Sequence, residues 1–373
     1  MMMRESGSND PFSKYKYDYK ATTMEVNGLK ATLNMPKAVE VRRDASGNEI
    51  TQGLPPYNQR PAFVVDEYPA CPDSWMHGSG VASSYFVPIV PEHGMWLDFT
   101  QNSHHEYDVA LVPSVQGINP LTGMKSDPIR LEQYKDKCPK HDIEFKQDRF
   151  CEKCKFKWHP QNYLCSNNGS AFWLDGFRSE DGSVRQWFFT EEECKGVAAQ
   201  IIGKDRVFAI GLAFYLSKKP RPKPVYNNHY YATSLGGGYL CSTLDGCYDE
   251  SPSMSWASSG GGTYGSNISF NAAASRTGSR GASRSRKLSA RRSADMRNTQ
   301  REVEATQKML EIGAGAKIHQ RVNPDPQTLD YWQDEPAGFI YVNYCDVATA
   351  EKIIAAGKRE ELGEGFLSGL NTK

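Results

Sequence analysis

Arg206-Val-Phe-Ala-Ile-Gly-Leu-Ala-Phe-Tyr-Leu216 is a run dominated by β-branched, aromatic and other apolar residues. Runs of this kind, bounded by turn-forming residues, are typical of β-strands. Similar runs occupy residues 62–65, 84–90, 95–99, 109–112 and 184–189. Pro, Gly and Asn separate them, and extended helical periodicity does not appear between them. We therefore predict an antiparallel β sandwich or barrel over residues 22–217.

The composition sets limits on the class of protein. The chain has 373 residues, of which 39% are apolar and 11% aromatic, enough to bury a sizeable core. This length suits two or three compact units, or one large β domain with insertions. The mean hydropathy is −0.62 and no apolar run approaches 18 residues, so no membrane span is expected. The polar start of the chain has no hydrophobic signal segment, which favours a cytoplasmic, intracellular protein.

Two short cysteine and histidine pairs are the most specific signal in the chain. They are Cys138-Pro-Lys-His141 and Cys151-Glu-Lys-Cys154. Ligands at positions i and i+3 fall on one side of a tight turn, and two such turns complete a tetrahedron around Zn²⁺. Four protein ligands leave no open position, so the pattern predicts a structural zinc site in a zinc-ribbon or knuckle module at about residues 135–160. His159 or Cys165 replacing one ligand, and with it a catalytic metal, is the less favoured alternative.

The other cysteines follow no pattern. The chain has nine, an odd number, and the six outside the proposed cluster are scattered: Cys71, Cys165, Cys194, Cys241, Cys247 and Cys345. In a chain of this length, that distribution favours free thiols in a reducing compartment over a disulfide framework.

The distribution of residue types along the chain predicts four segments. Residues 1–21 are expected to form a flexible tail, followed by the β-rich domain at 22–217. A Pro, Gly, Ser and Arg-rich disordered linker is predicted at 218–295. The C-terminal block at 296–373 is expected to be α+β and to pack on the β domain or on another subunit. Its predicted elements are a helix at 296–312, a strand at 339–344, and a helix at 348–356 capped by Asp346 and closed by Gly357.

Basic charge is concentrated in the linker. The chain has no net formal charge, but residues 276–297 hold eight basic residues and one acidic residue, a sum of +7 that leaves −7 elsewhere. Nucleic acid is a candidate partner through the six central residues of this tract, Arg280, Arg284, Arg286, Lys287, Arg291 and Arg292. A solvated linker is the favoured interpretation, because no aromatic residue lies between the arginines to stack on bases.

A hydrolase-type enzyme is the alternative from another functional class. Its site would lie near His104, His105, Asp108 and Asp175, which carry acid–base groups. Adjacent histidines on an extended strand point to opposite faces, so His104 and His105 are better explained as exposed loop residues. A salt-bridged turn is favoured over a catalytic carboxylate at Asp175.

Several blocks resemble a group of bacterial and fungal proteins. They include Gly117-Ile-Asn-Pro-Leu-Thr-Gly123, Phe172-Trp-Leu-Asp-Gly176, Asp181-Gly-Ser-Val-Arg-Gln186 and Gly313-Ala-Gly-Ala-Lys-Ile-His-Gln320. The resemblance implies that the β domain and the C-terminal block belong to one architecture, with the cysteine and histidine module as an insertion. The group has no assigned activity, so the resemblance implies no catalytic residue.

The sequence therefore favours a zinc-stabilised, β-rich protein without catalytic activity that works through protein–protein interaction or self-assembly. No small-molecule substrate is identifiable from the residues, and no membrane partner is expected.

Overall fold

A computed structural model describes residues 10–53, 56–126, 129–169, 172–222 and 296–359. Within these ranges the protein is mainly β, as predicted, with fifteen strands arranged in two large sheets and one hairpin. No helix in the described ranges has the length and apolar character needed to cross a membrane.

The first sheet has seven strands. Five of its strands lie in the order β1-β2-β5-β12-β11. In addition, β10 pairs with β5 and β14 pairs with β12. All of its pairings are antiparallel. The strands are β1 (Thr23–Val26), β2 (Leu29–Asn34), β5 (Gly94–Asp98), β10 (Trp173–Leu174), β11 (Gly176–Arg178), β12 (Val184–Thr190) and β14 (Glu311–Ile318).

The second sheet has six strands in the order β3-β4-β15-β13-β6-β9. The pair β4–β15 is parallel and the others are antiparallel, so this sheet is mixed. The strands are β3 (Phe63–Val64), β4 (Ala82–Ile89), β6 (Tyr107–Val115), β9 (Leu164–Cys165), β13 (Ala209–Pro220) and β15 (Gly338–Asp346). The separate hairpin consists of β7 (Phe150–Cys151) and β8 (Phe156–Lys157).

The main core contains side chains from both sheets. Leu33 and Trp187 of the first sheet belong to the same buried apolar cluster as Leu111 and Phe214 of the second. The opposite face of the second sheet is also covered, for example where Ala213 packs with Trp332 in a separate cluster. Strand β13 is thus buried on both faces, which explains why its sequence is a continuous apolar run rather than an alternating one.

Short helices connect and cover the sheets. The α-helices are α1 (Tyr19–Thr22), α2 (Val197–Ile201), α3 (described over residues 296–306) and α4 (Val347–Ala355). The 3₁₀ helices are Pro11–Tyr15, Val65–Glu67, Thr100–His104, Gln147–Arg149, Glu193–Lys195, Gly203–Asp205 and Leu329–Tyr331.

Helix α4 confirms the predicted cap and stop. The Asp346 carboxylate accepts the Thr349 N–H at 3.0 Å, and Gly357 has a φ of 95° just after the helix. The predicted helix over 296–312 is wrong at its end, because strand β14 already begins at Glu311.

The C-terminal segment completes both sheets. Strand β14 pairs with β12 in the first sheet, and β15 lies between β4 and β13 in the second. The described residues up to Arg221 and those from 296 onward belong to one compact unit. Residues 10–21, within the predicted tail, include Phe12 in a buried cluster and the Asp10 carboxylate paired with buried Arg60.

Candidate metal centre

Two tight turns position the four predicted ligands. In the first, the Cys138 carbonyl accepts the His141 N–H at 3.2 Å and the Asp142 N–H at 2.8 Å. Asp142 has a φ of 51°, which turns the chain back so that the Cys138 N–H donates to the Ile143 carbonyl at 2.8 Å. The second turn connects β7 to β8, and Cys151 and Cys154 lie at its start and within it.

The four ligand atoms lie within 4.8 Å of one another. Nδ1 of His141 is 3.7 Å from Sγ of Cys138 and 3.6 Å from Sγ of Cys151. Sγ of Cys138 is 3.9 Å from Sγ of Cys154. A tetrahedral Zn²⁺ with its usual bond lengths requires S···S distances of about 3.8 Å and S···N distances of about 3.5 Å. The spacing therefore fits a metal ion bound by three sulfurs and one imidazole.

The environment shifts the pKa values of two of the thiols in opposite directions. Burial raises the pKa of Cys138 to about 11. Burial also opposes ionisation of Cys151, but the Cys154 N–H and the neighbouring His141 outweigh it and lower the pKa of Cys151 to about 6. Of these two thiols, Cys151 is therefore the one that ionises more readily. A bound cation would favour the thiolate form of all three cysteines.

The module around the cluster has only a small core of its own. Tyr134, Trp158, Cys138 and Cys151 are its buried members, with Phe145 and Phe156 packed partly against them. The Arg149 guanidinium stabilises the module by donating hydrogen bonds to the backbone carbonyls of Tyr134 and Lys135. So few buried apolar side chains rarely hold a segment of this size without a disulfide or a metal.

Trp158 and Arg149 were not predicted as part of the site. The Trp158 indole N–H donates to Sγ of Cys154 at 3.4 Å. Trp158 follows Cys154 by four positions, and the return strand of a hairpin passes close to the hairpin's own turn. This spacing could therefore have indicated the contact between the two residues.

The alternative ligands His159 and Cys165 lie elsewhere. Nε2 of His159 is 3.0 Å from the Val322 carbonyl, while its Nδ1 faces the backbone of Gln161. Burial lowers the pKa of His159 to about 4, so the ring is neutral and its two nitrogens are used by the backbone. Cys165 lies in the cluster that covers the second sheet. Neither residue belongs to the four-ligand group.

The residues of the alternative hydrolase site have separate environments. Asp108 on β6 is paired with Arg221 at 2.5 Å and accepts the Tyr331 hydroxyl at 2.5 Å. His104 is exposed, and Nδ1 of His105 accepts the Tyr107 N–H at 3.2 Å. Asp108 thus lies in an ion-pair network on the second sheet, whereas Asp175 belongs to the first.

Asp175 is fully buried between β10 and β11 and has no salt bridge within the described part of the chain, in contrast to the salt-bridged turn favoured from the sequence. Neither of its carboxylate oxygens has a hydrogen-bond partner of normal geometry. Burial raises the pKa of Asp175 to about 7, with the nearby Asp98 adding to the effect and the indole of Trp173 opposing it. Asp175 is thus an acid that titrates near neutrality.

The basic tract proposed to contact nucleic acid lies outside the described residues. Arg280, Arg284, Arg286, Lys287, Arg291 and Arg292 all fall in the range 223–295, as does most of the predicted linker.

Comparison of the chain with protein-family models, with curated proteins and with solved structures finds no match. The functional interpretation therefore rests on the residues and geometry of this chain.

Proposed function

We propose that Cys138, His141, Cys151 and Cys154 bind one structural Zn²⁺, and that the module it holds mediates contact with a protein partner or a second copy of the chain. The observation that carries the zinc assignment is that four ligand atoms drawn from two turns lie within 4.8 Å of one another, with three of their separations at 3.6–3.9 Å.

The donor set favours zinc over other cations. Three thiolates and one imidazole are soft or borderline ligands, which Ca²⁺ and Mg²⁺ avoid because they prefer oxygen. Zinc accepts this set in tetrahedral geometry without a redox change. The positive charge of Lys140, Lys153 and Lys155 near the ligands helps to offset the negative charge of three thiolates.

The same donor set favours a structural role. Catalytic zinc sites use three protein ligands and keep the fourth position for water or substrate, whereas this cluster supplies all four. The first two ligands belong to residues 138–141 and the other two to the β7–β8 hairpin, so one ion would join two segments whose shared apolar core is small. Folding of the module and binding of the ion would then be coupled.

The surface beside the cluster has features of a contact site. A groove of about 510 Å³ runs along it, with both acidic and basic side chains in its wall. Ile143, in the first ligand turn, leaves 45% of its surface exposed. An exposed apolar side chain next to mixed charges is a common composition for a protein interface with a polar rim. The residues that line the groove are Gln133, Tyr134, Lys135, Asp136, Lys137, Cys138, Pro139, Asp142 and Glu144.

Metal analysis of the purified chain tests the zinc assignment. We expect one zinc per chain by plasma mass spectrometry, falling to near zero in Cys151→Ser. The matched control is Cys194→Ser, because Cys194 is an exposed free thiol outside the module and its loss should leave the zinc content unchanged. A wild-type protein without stoichiometric zinc, or a Cys151→Ser variant that keeps it, would overturn the assignment.

Solution mass and affinity capture test the contact role. We expect light scattering to show self-association, or capture with the tagged chain to retain a partner, and Ile143→Glu to abolish that interaction. Ile50→Glu is the control, since Ile50 is 44% exposed but lies outside the module. A strictly monomeric wild type without any retained partner contradicts the contact role while leaving the zinc assignment intact.

A further inference from the structure

A second group of polar residues lies on the outer face of the seven-stranded sheet. Met95, Leu97 and Leu174 point into the main core, so their alternating neighbours point away from it. Asn34 of β2 lies directly opposite Trp96 of β5, and Asp98 follows Trp96 by two residues on the same face.

The next strand extends this face. Trp173 lies opposite Asp98, and Asp175 follows it by two residues at the break between β10 and β11. Gln186 of β12 reaches the same face, because a Cβ built on Gly94 would lie 2.5 Å from its Nε2. Gly94 precedes Trp96 by two residues on β5.

Polar atoms on this face are buried without a hydrogen-bond partner of normal geometry among the described residues. They are three N–H donors and one carboxyl group: Asn34 Nδ2, Trp96 Nε1, Gln186 Nε2 and both oxygens of Asp175. A buried polar group left unpaired costs about 1–3 kcal/mol, and native proteins keep few of them. Several such groups on one face of one sheet indicate that a polar molecule forms hydrogen bonds with them.

The unpaired set contains both donors and acceptors. A hydroxyl group can donate one hydrogen bond and accept two, so it can satisfy an indole or amide N–H and a carboxylate at once. An anion would satisfy the N–H groups but would repel Asp98 and ionised Asp175. A cation would satisfy the carboxylates but not the N–H groups. The chemistry therefore favours several hydroxyl groups.

Aromatic side chains border the same face. The Tyr57 ring packs edge-on against Trp96 with centroids 4.8 Å apart, and 57% of Tyr57 is exposed. Burial raises the pKa of Tyr57, and the charges of Asp98, Tyr19 and Asp175 raise it further, which places all three groups within electrostatic reach of it. Exposed aromatic rings beside a few convergent polar groups are typical of small-ligand sites.

We propose that this face binds a polyhydroxylated ligand of the saccharide class, with Tyr57 contacting the apolar face of a sugar ring and Trp96, Asn34, Gln186 and Asp175 pairing with its hydroxyl groups. The neighbouring chain lies against this face at two points. The Asn58 N–H donates to Asn34 Oδ1 at 3.3 Å, and the Val39 N–H donates to Gln186 Oε1 at 2.7 Å. Entry of a ring requires Tyr57 to move off Trp96. The site is independent of the zinc module.

Calorimetry and saturation-transfer NMR with a sugar panel test the site on the full chain. The probes are glucose, galactose, mannose, xylose and N-acetylglucosamine, together with β-1,4-linked oligomers of glucose and of N-acetylglucosamine. We expect saturable binding of at least one probe, weakened by about tenfold or more in Tyr57→Ala and in Asp175→Asn. Tyr17→Ala is the matched control, because Tyr17 is 81% exposed and is not among the groups that face Tyr57 or Asp175.

Two results would overturn the proposal. The first is a wild-type chain that binds no sugar of the panel, which would mean that ordered water alone pairs with these atoms. The second is a bound sugar whose affinity is unchanged in Tyr57→Ala, a variant whose exposed side chain leaves the fold intact. Zinc content, measured on the same samples, separates these outcomes from failure of the metal assignment.

Discussion

Trp158 donates its indole N–H to Sγ of Cys154, with an Nε1···Sγ distance of 3.4 Å. The bond links a buried side chain of the module to one of the four ligand atoms of the candidate metal centre. Hydrogen bonds of this kind stabilise the charge of a thiolate ligand and fix its orientation. Trp158 therefore supports the cluster from outside the set of four ligand atoms.

Replacing Trp158 tests that link. We expect Trp158→Phe to keep the zinc but to bind it about 10- to 100-fold more weakly, as measured by competition with a chromogenic chelator. Trp75→Phe is the control, because Trp75 is also buried but packs on Phe86 in another cluster. Equal zinc affinities in the two variants would show that the N–H···S bond has no energetic role.

Removing one partner of the buried ion pair between Arg206 and Glu311 is expected to be strongly destabilising. Their N and O atoms are 2.7 Å apart, and the side chains are only 9% and 3% exposed. Arg206→Met leaves the carboxylate of Glu311 buried with fewer partners, which should lower the free energy of unfolding by about 3–5 kcal/mol. Chemical denaturation measures the change.

The surface pair of Lys308 and Glu191 is the matched comparison. Its atoms are also 2.7 Å apart, but both side chains are about half exposed. Water and salt screen such a pair, so Lys308→Met should change the free energy of unfolding by less than about 1 kcal/mol. Similar losses in both variants would mean that burial does not decide the strength of these contacts.

Gly176 lies where a side chain does not fit. A Cβ at this position would come within 1.9 Å of the Arg185 carbonyl oxygen across the β11–β12 pair. Because the obstacle is backbone, Gly176→Ala must push the strands apart, and we expect a loss of about 2–3 kcal/mol in the free energy of unfolding. Gly53→Ala has open space around the new methyl group and should leave stability nearly unchanged. Comparable melting temperatures for the two variants would contradict this account.

Asp175 makes stability depend on pH. Its pKa is raised from 3.8 to about 7, so the folded state prefers the protonated carboxyl. Below the unfolded pKa the carboxyl is protonated in both states and does not destabilise the fold. As the pH rises, the unfolded state ionises first, and the free energy of unfolding falls until the pH has passed about 7. Asp175→Asn removes the charge but keeps the shape. Its melting temperature should therefore exceed that of wild type at pH 8 by more than at pH 4, with a difference in free energy of at most about 4 kcal/mol.

The control for this pH dependence is Asp181→Asn. Lys317, together with the hydroxyl and N–H of Ser183, outweighs burial and lowers the pKa of Asp181, so its contribution has the opposite sign. Removing that charge should lower stability at pH 8 and have a smaller effect at pH 2. A difference between Asp175→Asn and wild type that does not vary with pH would show that Asp175 does not titrate in this range.

Local patterns were the ones that sequence predicted well. Strands β13 and β15 follow from runs of apolar residues, and helix α4 follows from a cap and a stop eleven positions apart. The same holds for the metal cluster, because each ligand pair lies within one turn and only nine residues separate the pairs.

Strand β14 shows where this reasoning fails. Its sequence, Glu311-Ile-Gly-Ala-Gly-Ala-Lys-Ile318, has low strand propensity, and Gly313 was predicted to end a helix. In the structure, a Cβ on Gly313 would collide with the Phe188 ring of β12, so glycine lets the two strands approach. Pairing with β12, which is distant in the chain, outweighed the low strand propensity of this sequence.

By itself the sequence determined the β-rich class, the grouping of Cys138, His141, Cys151 and Cys154, and the C-terminal helix cap, since the interactions that define them join residues close together in the chain. Tertiary structure alone decided the sheet order, the insertion of β15 beside a parallel strand, and the meeting of Asn34, Trp96, Asp175 and Gln186 on one face. These depend on pairing between strands far apart in the chain, and one residue of register decides which face each side chain occupies.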